Sequence, residues 1–272
     1  MVGDCYHGVI PTAMYYSPNV IKKVEDKRRR LSSELKTLVL DLLAKVSSVL
    51  TVDRSREYLA QGVCRRLNTI GRCIENIFSI FPMEREQLLG INELNDLNIN
   101  LHAFVLNVDG LQDNLAWVYV FEKGLEKKIR RGRRDVSLFN ASTSAFFPED
   151  VRTFLGIQSI RNWHERYAKN YRDALSHRIP LYVSPMHLTS RDAEKFNDLE
   201  RQIWEQFKAD NIPRSYELRK EQTALGKICA AFAHSHLDSD RSGPVVIHPQ
   251  VISDTITVVQ IINVFFRNAP WI

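Results

Sequence analysis

Long uninterrupted runs in which apolar residues return every three or four positions constrain this chain most. In residues 17–50, Leu31, Leu35, Leu38, Leu42 and Val46 keep that spacing, which lines one face of a helix. Ser17 stands as a candidate N-cap, with Pro18 at the first helical position. Residues 55–81 repeat the pattern through Leu59, Val63, Leu67, Ile70, Ile74 and Ile77, and Pro82 stops it. A third stripe, Leu101, Phe104, Val108, Leu111, Leu115 and Val118, predicts a helix from about Asn92 to Glu126. Gly110 in its middle costs up to about 1 kcal/mol relative to alanine, so it marks a close approach. Further helices are predicted over 158–177, from Ser190, from Pro213 to about His234, and from Pro249. Only "PLYVS" reads as a short extended piece. The long connections are 128–148 and 236–248. The expectation is all-α: a multi-helix bundle. Residues 1–90 form an N-terminal region of two long helices and 91–272 the main bundle, or the two make one continuous domain.

Composition narrows the function classes. With 272 residues the chain buries a core without staples. Cys5, Cys64, Cys73 and Cys229 are scattered with no C-x-x-C, which argues against a disulfide framework or zinc ribbon and fits a reducing, cytoplasmic setting. The N-terminus lacks the basic-then-apolar order of a signal peptide. The apolar window 255–266 is too short to span a bilayer and reads as a buried helix, so no membrane role is expected. A net charge of +5 permits a nucleic-acid partner without requiring one. No P-loop, dinucleotide fingerprint, G-x-S-x-G elbow or H-E-x-x-H is present, and eleven glycines leave little material for phosphate-cradling loops. No cofactor is expected.

Three stretches carry chemistry-bearing residues. The first is "NYRDALSHRIPLY", 170–182. Asp173 and His177 are four apart and share a helix face, so the carboxylate is placed to orient the imidazole. Arg172 and His177 are five apart, about 140° around an ideal helix. Pro180 ends the helix near Arg178, and in a loosened last turn His177 is free to swing towards Arg172. A guanidinium fork suits a phosphate, and a histidine passes protons near neutral pH. The plain alternative is favourable cations at a helix C-terminus. The second stretch is 127–134, where six of eight residues are basic: Lys127, Lys128, Arg130, Arg131, Arg133 and Arg134. Such a cluster suits an RNA backbone, or is a solvated loop. The third is 233–248, with His234, His236, Asp238, Asp240 and His248. These are metal-ligand types, but the segment is predicted to end a helix and lacks a second ligand set, so it reads as a polar connection and no metal is expected. His164 is predicted to be packed or on the surface, with an accessory role to the motif helix as the alternative.

The stretch "WHERYAKNYRDALSHRIPLY" (163–182) resembles the signature helix of the HEPN superfamily, whose motif is an arginine, a polar residue, three further residues and a histidine. The helix "LHAFVLNVDGLQDNLAWVYVFE" (101–122) resembles the long helix that precedes it in bacterial HEPN proteins. The resemblance covers these two helices, and not residues 1–90. It implies an HEPN-like helical core with additional N-terminal helices, pairing as a homodimer that brings two copies of Arg172 and His177 to one cleft. It further implies a metal-independent endoribonuclease, of the kind found in toxin–antitoxin and phage-defence systems. His177 would act as base or acid, Arg172 would stabilise the phosphorane, and Asp173 would orient the histidine or the substrate hydroxyl. The alternative is a non-catalytic interaction or nucleotide-binding module, with residues 1–90 recruiting a protein partner.

Overall fold

A computed structural model describes residues 16–129, 135–235 and 244–268. The first predicted helix is α1, Pro18–Ser48, and Ser17 caps it by accepting the Val20 N–H. The second is one rod in three parts: α2 (Asp53–Glu57), a π-helical stretch (Tyr58–Cys64) and α3 (Arg65–Ile80). It starts two residues before the predicted position, because its cap comes from elsewhere. Glu122 accepts the N–H groups of Thr51 and Val52 at 2.8 and 3.2 Å, and the Thr51 hydroxyl at 2.6 Å.

The third long helix, α4 (Ile91–Glu122), runs through the centre. Leu97, Leu101, Phe104, Val108, Leu111, Leu115 and Val118 are all buried on it. Short helices α5 (Ala141–Ser144) and α6 (Glu149–Leu155) occupy what reads in the sequence as a long connection. The predicted 158–177 helix is again a composite: α7 (Gln158–Asn162), a π-helical stretch (Trp163–Ala168) and α8 (Lys169–His177). Trp163, Tyr167, Tyr171 and Ala174 are its buried face.

Beyond α8 the chain departs from expectation. Tyr182–Val183 is a strand, β1, within the predicted extended piece. It pairs antiparallel with β2 (Ala231–Ala233), which pairs antiparallel with β3 (Val245–Val246). The helix predicted to reach His234 therefore stops early: α10 is Ile212–Thr223. The run "ICAAFA" after it is fully buried on both faces, as a central strand is, and periodicity cannot separate that from a buried helix. Val183 N–H is bonded to Asn98 of α4 at 2.8 Å, which ties the small sheet to the central helix. Between β1 and β2 stand α9 (Ser190–Lys208) and α10.

The last helix, α11 (Ile247–Asn268), is longer than the apolar window suggests. Over Ile247–Arg267 its length and apolarity would suit a membrane span, yet 61% of that window is buried within the protein, where it packs on α1, α3, α4 and α6. One hydrophobic cluster runs from Val24 through α3 and α4 to Phe265. Residues 16–90 thus share a core with the rest.

Candidate functional site

The motif helix meets the rest of the protein through an arginine. Arg172 Nε lies 3.0 Å from Asp109 Oδ2 of α4, and its Nη1 lies 3.3 Å from Asp173 Oδ1. The Arg172 side chain is 33% exposed and that of Asp109 is 9% exposed. Asp173 therefore turns to the arginine and not, as expected, to His177. Helix α8 is closed to its end, with Arg178 N–H bonded to Ala174 O at 3.0 Å. The last turn is not loosened, so Arg172 and His177 keep the separation of about 140° that a regular helix imposes. His177 is exposed and takes no hydrogen bond or ion pair from the described residues. Arg178 folds back along α8, donating through Nη2 to the Asn170 carbonyl and side-chain oxygens at 2.7 and 2.6 Å.

Asp109 belongs to a larger charged cluster. Asp113 is one turn on along α4 and accepts a hydrogen bond from Ser137. Burial pushes the Asp109 carboxyl up to about 6, against the opposing pull of Arg172, and the neighbouring Asp113 and Asp173 charges add to the rise. Burial also raises Asp113, with Ser137, Arg172 and Arg66 opposing. Arg66 of α3 reaches the same helix, donating from Nε to Asn114 Oδ1 at 2.7 Å and from Nη1 to Asn107 Oδ1 at 3.1 Å. It lies directly across Gly110, where a Cβ would come within 2.6 Å of its Cζ. The predicted close approach at Gly110 is thus to a guanidinium. Two carboxylates are held between two guanidiniums, the first drawn from α4 and the second from α3 and α8.

His164 borders this cluster. It is half-buried and stacked on Phe139, with ring centroids 3.9 Å apart. Burial, then the charges of Lys169 and Arg172, hold it down at about 4. It is a packed, neutral histidine at neutral pH. Lys127 and Lys128 are exposed in a 3₁₀ turn, Glu126–Lys128. Arg130, Arg131, Arg133 and Arg134 lie outside the described residues.

The third stretch looks different in space from its sequence. His234 follows strand β2 instead of ending a helix, and it is buried, edge-on to Tyr171 with Nε2 3.4 Å from Asn170 Nδ2. His248 has both ring nitrogens engaged: Nε2–H donates to Phe81 O at 2.6 Å and Nδ1 accepts from the Tyr16 hydroxyl at 3.0 Å. His236, Asp238 and Asp240 lie outside the described residues. Among the described residues no three His, Cys, Asp or Glu side chains are grouped to hold a metal ion.

Asp109 and Asp113 are absent from the residues singled out by sequence. The signal was present in "NVDGLQDN", 107–114, a polar run inside an apolar helix. Polar residues at core-facing positions of a buried helix need partners. Comparison with family models, with curated proteins and with solved structures finds no match to this chain.

Proposed function

We propose that this chain is a metal-independent endoribonuclease of the HEPN type, acting in the cytoplasm and without a membrane. The observation that supports this reading is the state of the motif helix. Arg172 lies within ion-pair distance of two carboxylates, Asp109 and Asp173, yet is one-third exposed, on the same helix as an exposed, unpartnered His177. A positioned guanidinium stabilises developing phosphorane charge without reorganising. A free imidazole is available for proton transfer. His177 takes the proton of the 2′-hydroxyl, whose oxygen attacks the adjacent phosphorus. The P–O5′ bond breaks as the leaving 5′ oxygen takes a proton from a His177 imidazolium, leaving a 2′,3′-cyclic phosphate and a 5′-hydroxyl. Because α8 holds its own Arg172 and His177 apart, the reading requires a homodimer in which each copy supplies part of the cleft. Asp173 serves by holding Arg172. Lys127 and Lys128, with Arg130, Arg131, Arg133 and Arg134, grip the RNA backbone. A role in a toxin–antitoxin or phage-defence system, with a protein partner on residues 1–90, belongs to the same reading.

One observation favours a second reading. The Arg172 charge is met by both Asp109 and Asp173, as in a purely structural ion pair. That is the arrangement expected of a non-catalytic interaction or nucleotide-binding module. RNA cleavage in EDTA decides between them. The nuclease yields 2′,3′-cyclic phosphate ends, lost in folded His177→Ala and Arg172→Ala proteins. Equal inertness of wild type and variants on tRNA, rRNA and mRNA favours the module.

A further inference from the structure

Arg66 is a fixed charge without a charged partner. On α1–α3, Arg28, Arg29, Arg56 and Arg72 each pair with a carboxylate three residues away. Arg66 has no carboxylate within ion-pair distance among the described residues. Neutral oxygens hold it instead. Asn114 Oδ1 accepts from Nε at 2.7 Å, and Asn107 Oδ1 and the Leu106 carbonyl accept from Nη1 at 3.1 and 3.5 Å. Nη2 takes no hydrogen bond from the described residues, and the residue is only half-buried.

The fold makes room for this guanidinium. Glycine is unfavourable in the middle of a helix, yet at Gly110 a Cβ would stand 2.8 Å from both Nη atoms of Arg66. Arg66 is the second residue of α3, which continues from the π-helical stretch Tyr58–Cys64. That stretch presses Gly62 onto Asn114, where a Cβ would come within 3.0 Å of Cγ. Arg172 has the same setting: it is the fourth residue of α8, which continues from the π-helical stretch Trp163–Ala168. Such stretches recur at functional sites. The two arginines also meet the same turn of α4. Burial raises Asp109 and Asp113, and the charges of Arg172 and Arg66 both oppose the rise. Two interrupted helices, α3 and α8, thus each deliver one guanidinium to one stretch of α4.

We propose that Arg66 is a second phosphate-binding residue of the site, holding an RNA phosphate that adjoins the one on which Arg172 acts. This rests on the nuclease reading. A guanidinium fixed in advance by neutral acceptors keeps its charge for a ligand and loses little freedom on binding. Its unbonded Nη2 supplies charge-assisted hydrogen bonds to a phosphate oxygen. The nearby carboxylates are already engaged: Asp109 is buried against Arg172, and Asp113 accepts from Ser137. Arg172, by contrast, is met by two carboxylates of its own chain, so a second, uncompensated cation beside it is what lets a polyanion settle there.

Binding of a 5′-fluorescein single-stranded RNA with methylated 2′-hydroxyls tests this, since that strand cannot be cleaved through its 2′-oxygen. Fluorescence anisotropy in EDTA compares the wild type with Arg66→Gln, Arg66→Lys and Arg65→Ala, each checked for its fold by circular dichroism. Arg66→Gln keeps a donor for Asn114 and removes the charge. It is expected to raise Kd by roughly 10-fold and to reduce the slope of log Kd against log salt by about 0.7, the value of one phosphate contact on a single strand. Arg66→Lys is expected to keep the slope and raise Kd by about 3-fold, because the charge stays and the fork is lost. Arg65→Ala removes an equal charge from the adjacent exposed position and is expected to change Kd far less. An unchanged Kd in Arg66→Gln, wild-type affinity in Arg66→Lys, or an equal loss in Arg65→Ala overturns the inference. Cleavage of unmodified RNA by the wild type would in those cases leave the nuclease reading standing. A wild-type protein that binds no RNA overturns both.

Discussion

Arg172 Nε sits 3.0 Å from the Asp109 carboxylate, an ion pair that joins the motif helix α8 to the central helix α4. The two partners sit in different surroundings. Asp109 is buried and its carboxyl is pushed up to about 6, first by burial. Arg172 keeps a third of its side chain in water. The pair is better suited to fixing the direction of a guanidinium than to adding stability, because a desolvated carboxylate consumes most of the Coulombic gain.

Asp109→Asn separates those two contributions. Stability is expected to change by no more than about 1 kcal/mol, since Arg172 retains solvent and Asp173. On the proposed nuclease reading, RNA cleavage falls by roughly 10²-fold, because a guanidinium displaced by an ångström no longer meets the developing charge. Urea denaturation and single-turnover cleavage read the two quantities. A large loss of stability with cleavage intact would mean that Asp109 serves the fold alone.

Gly110→Ala is expected to destabilise the protein although alanine is the better helix former by about 1 kcal/mol. The new Cβ would stand 2.6 Å from Arg66 Cζ, so the end of the Arg66 side chain must shift, which weakens its bonds to Asn107 and Asn114. The expected net loss is about 1–2 kcal/mol. In an Arg66→Ala background the same substitution is expected to be neutral or stabilising, and the double-mutant cycle isolates the clash.

The long amphipathic helices were legible because each buries one stripe: Leu31 to Leu42 on α1 and Leu101 to Val118 on α4 are buried as the spacing predicts. Residues 228–233 were not. They are buried on both faces, and a continuous apolar run carries no period to tell strand from helix. The candidate site was legible in part for a related reason. Arg172, Asp173 and His177 stand close in sequence, whereas Asp109, Asp113 and Arg66 join them only through the packing of α4 on α3 and α8. The start of α2 shows the same limit, since its cap is a carboxylate some seventy residues away.

That remote cap gives a direct test. Helix α2 has no side-chain N-cap of its own, and Glu122 supplies one through Thr51 and Val52. Glu122→Ala is expected to cost about 1–2 kcal/mol, the upper range for loss of a helix cap. Glu122→Gln keeps an accepting oxygen and is expected to lose less than half of that in urea denaturation. Equal losses in the two variants would show that the charge, and not the acceptor, matters.

Two buried groups on α11 give stability opposite dependences on pH. Asp254 accepts from Trp163 Nε1 at 2.8 Å and from Gln250 at 2.7 Å, and burial pushes it up to about 7. An unfolded aspartate titrates near 4. Between about pH 4 and 7 the folded state therefore holds a proton that the unfolded state has lost, and Asp254 makes stability fall as pH rises. His248 is held down at about 4 by burial, against about 6.5 unfolded. Over about pH 4 to 6.5 the unfolded state binds the extra proton, so His248 makes stability rise with pH. The two slopes oppose one another in the wild type. Asp254→Asn removes the falling slope and keeps an oxygen for Trp163. Its stability is expected to gain steadily on the wild type as pH rises from about 4 to 7, with the rising dependence of His248 exposed. Urea denaturation across that range measures the difference, and parallel curves for the two proteins would show that Asp254 does not hold a proton in the folded state.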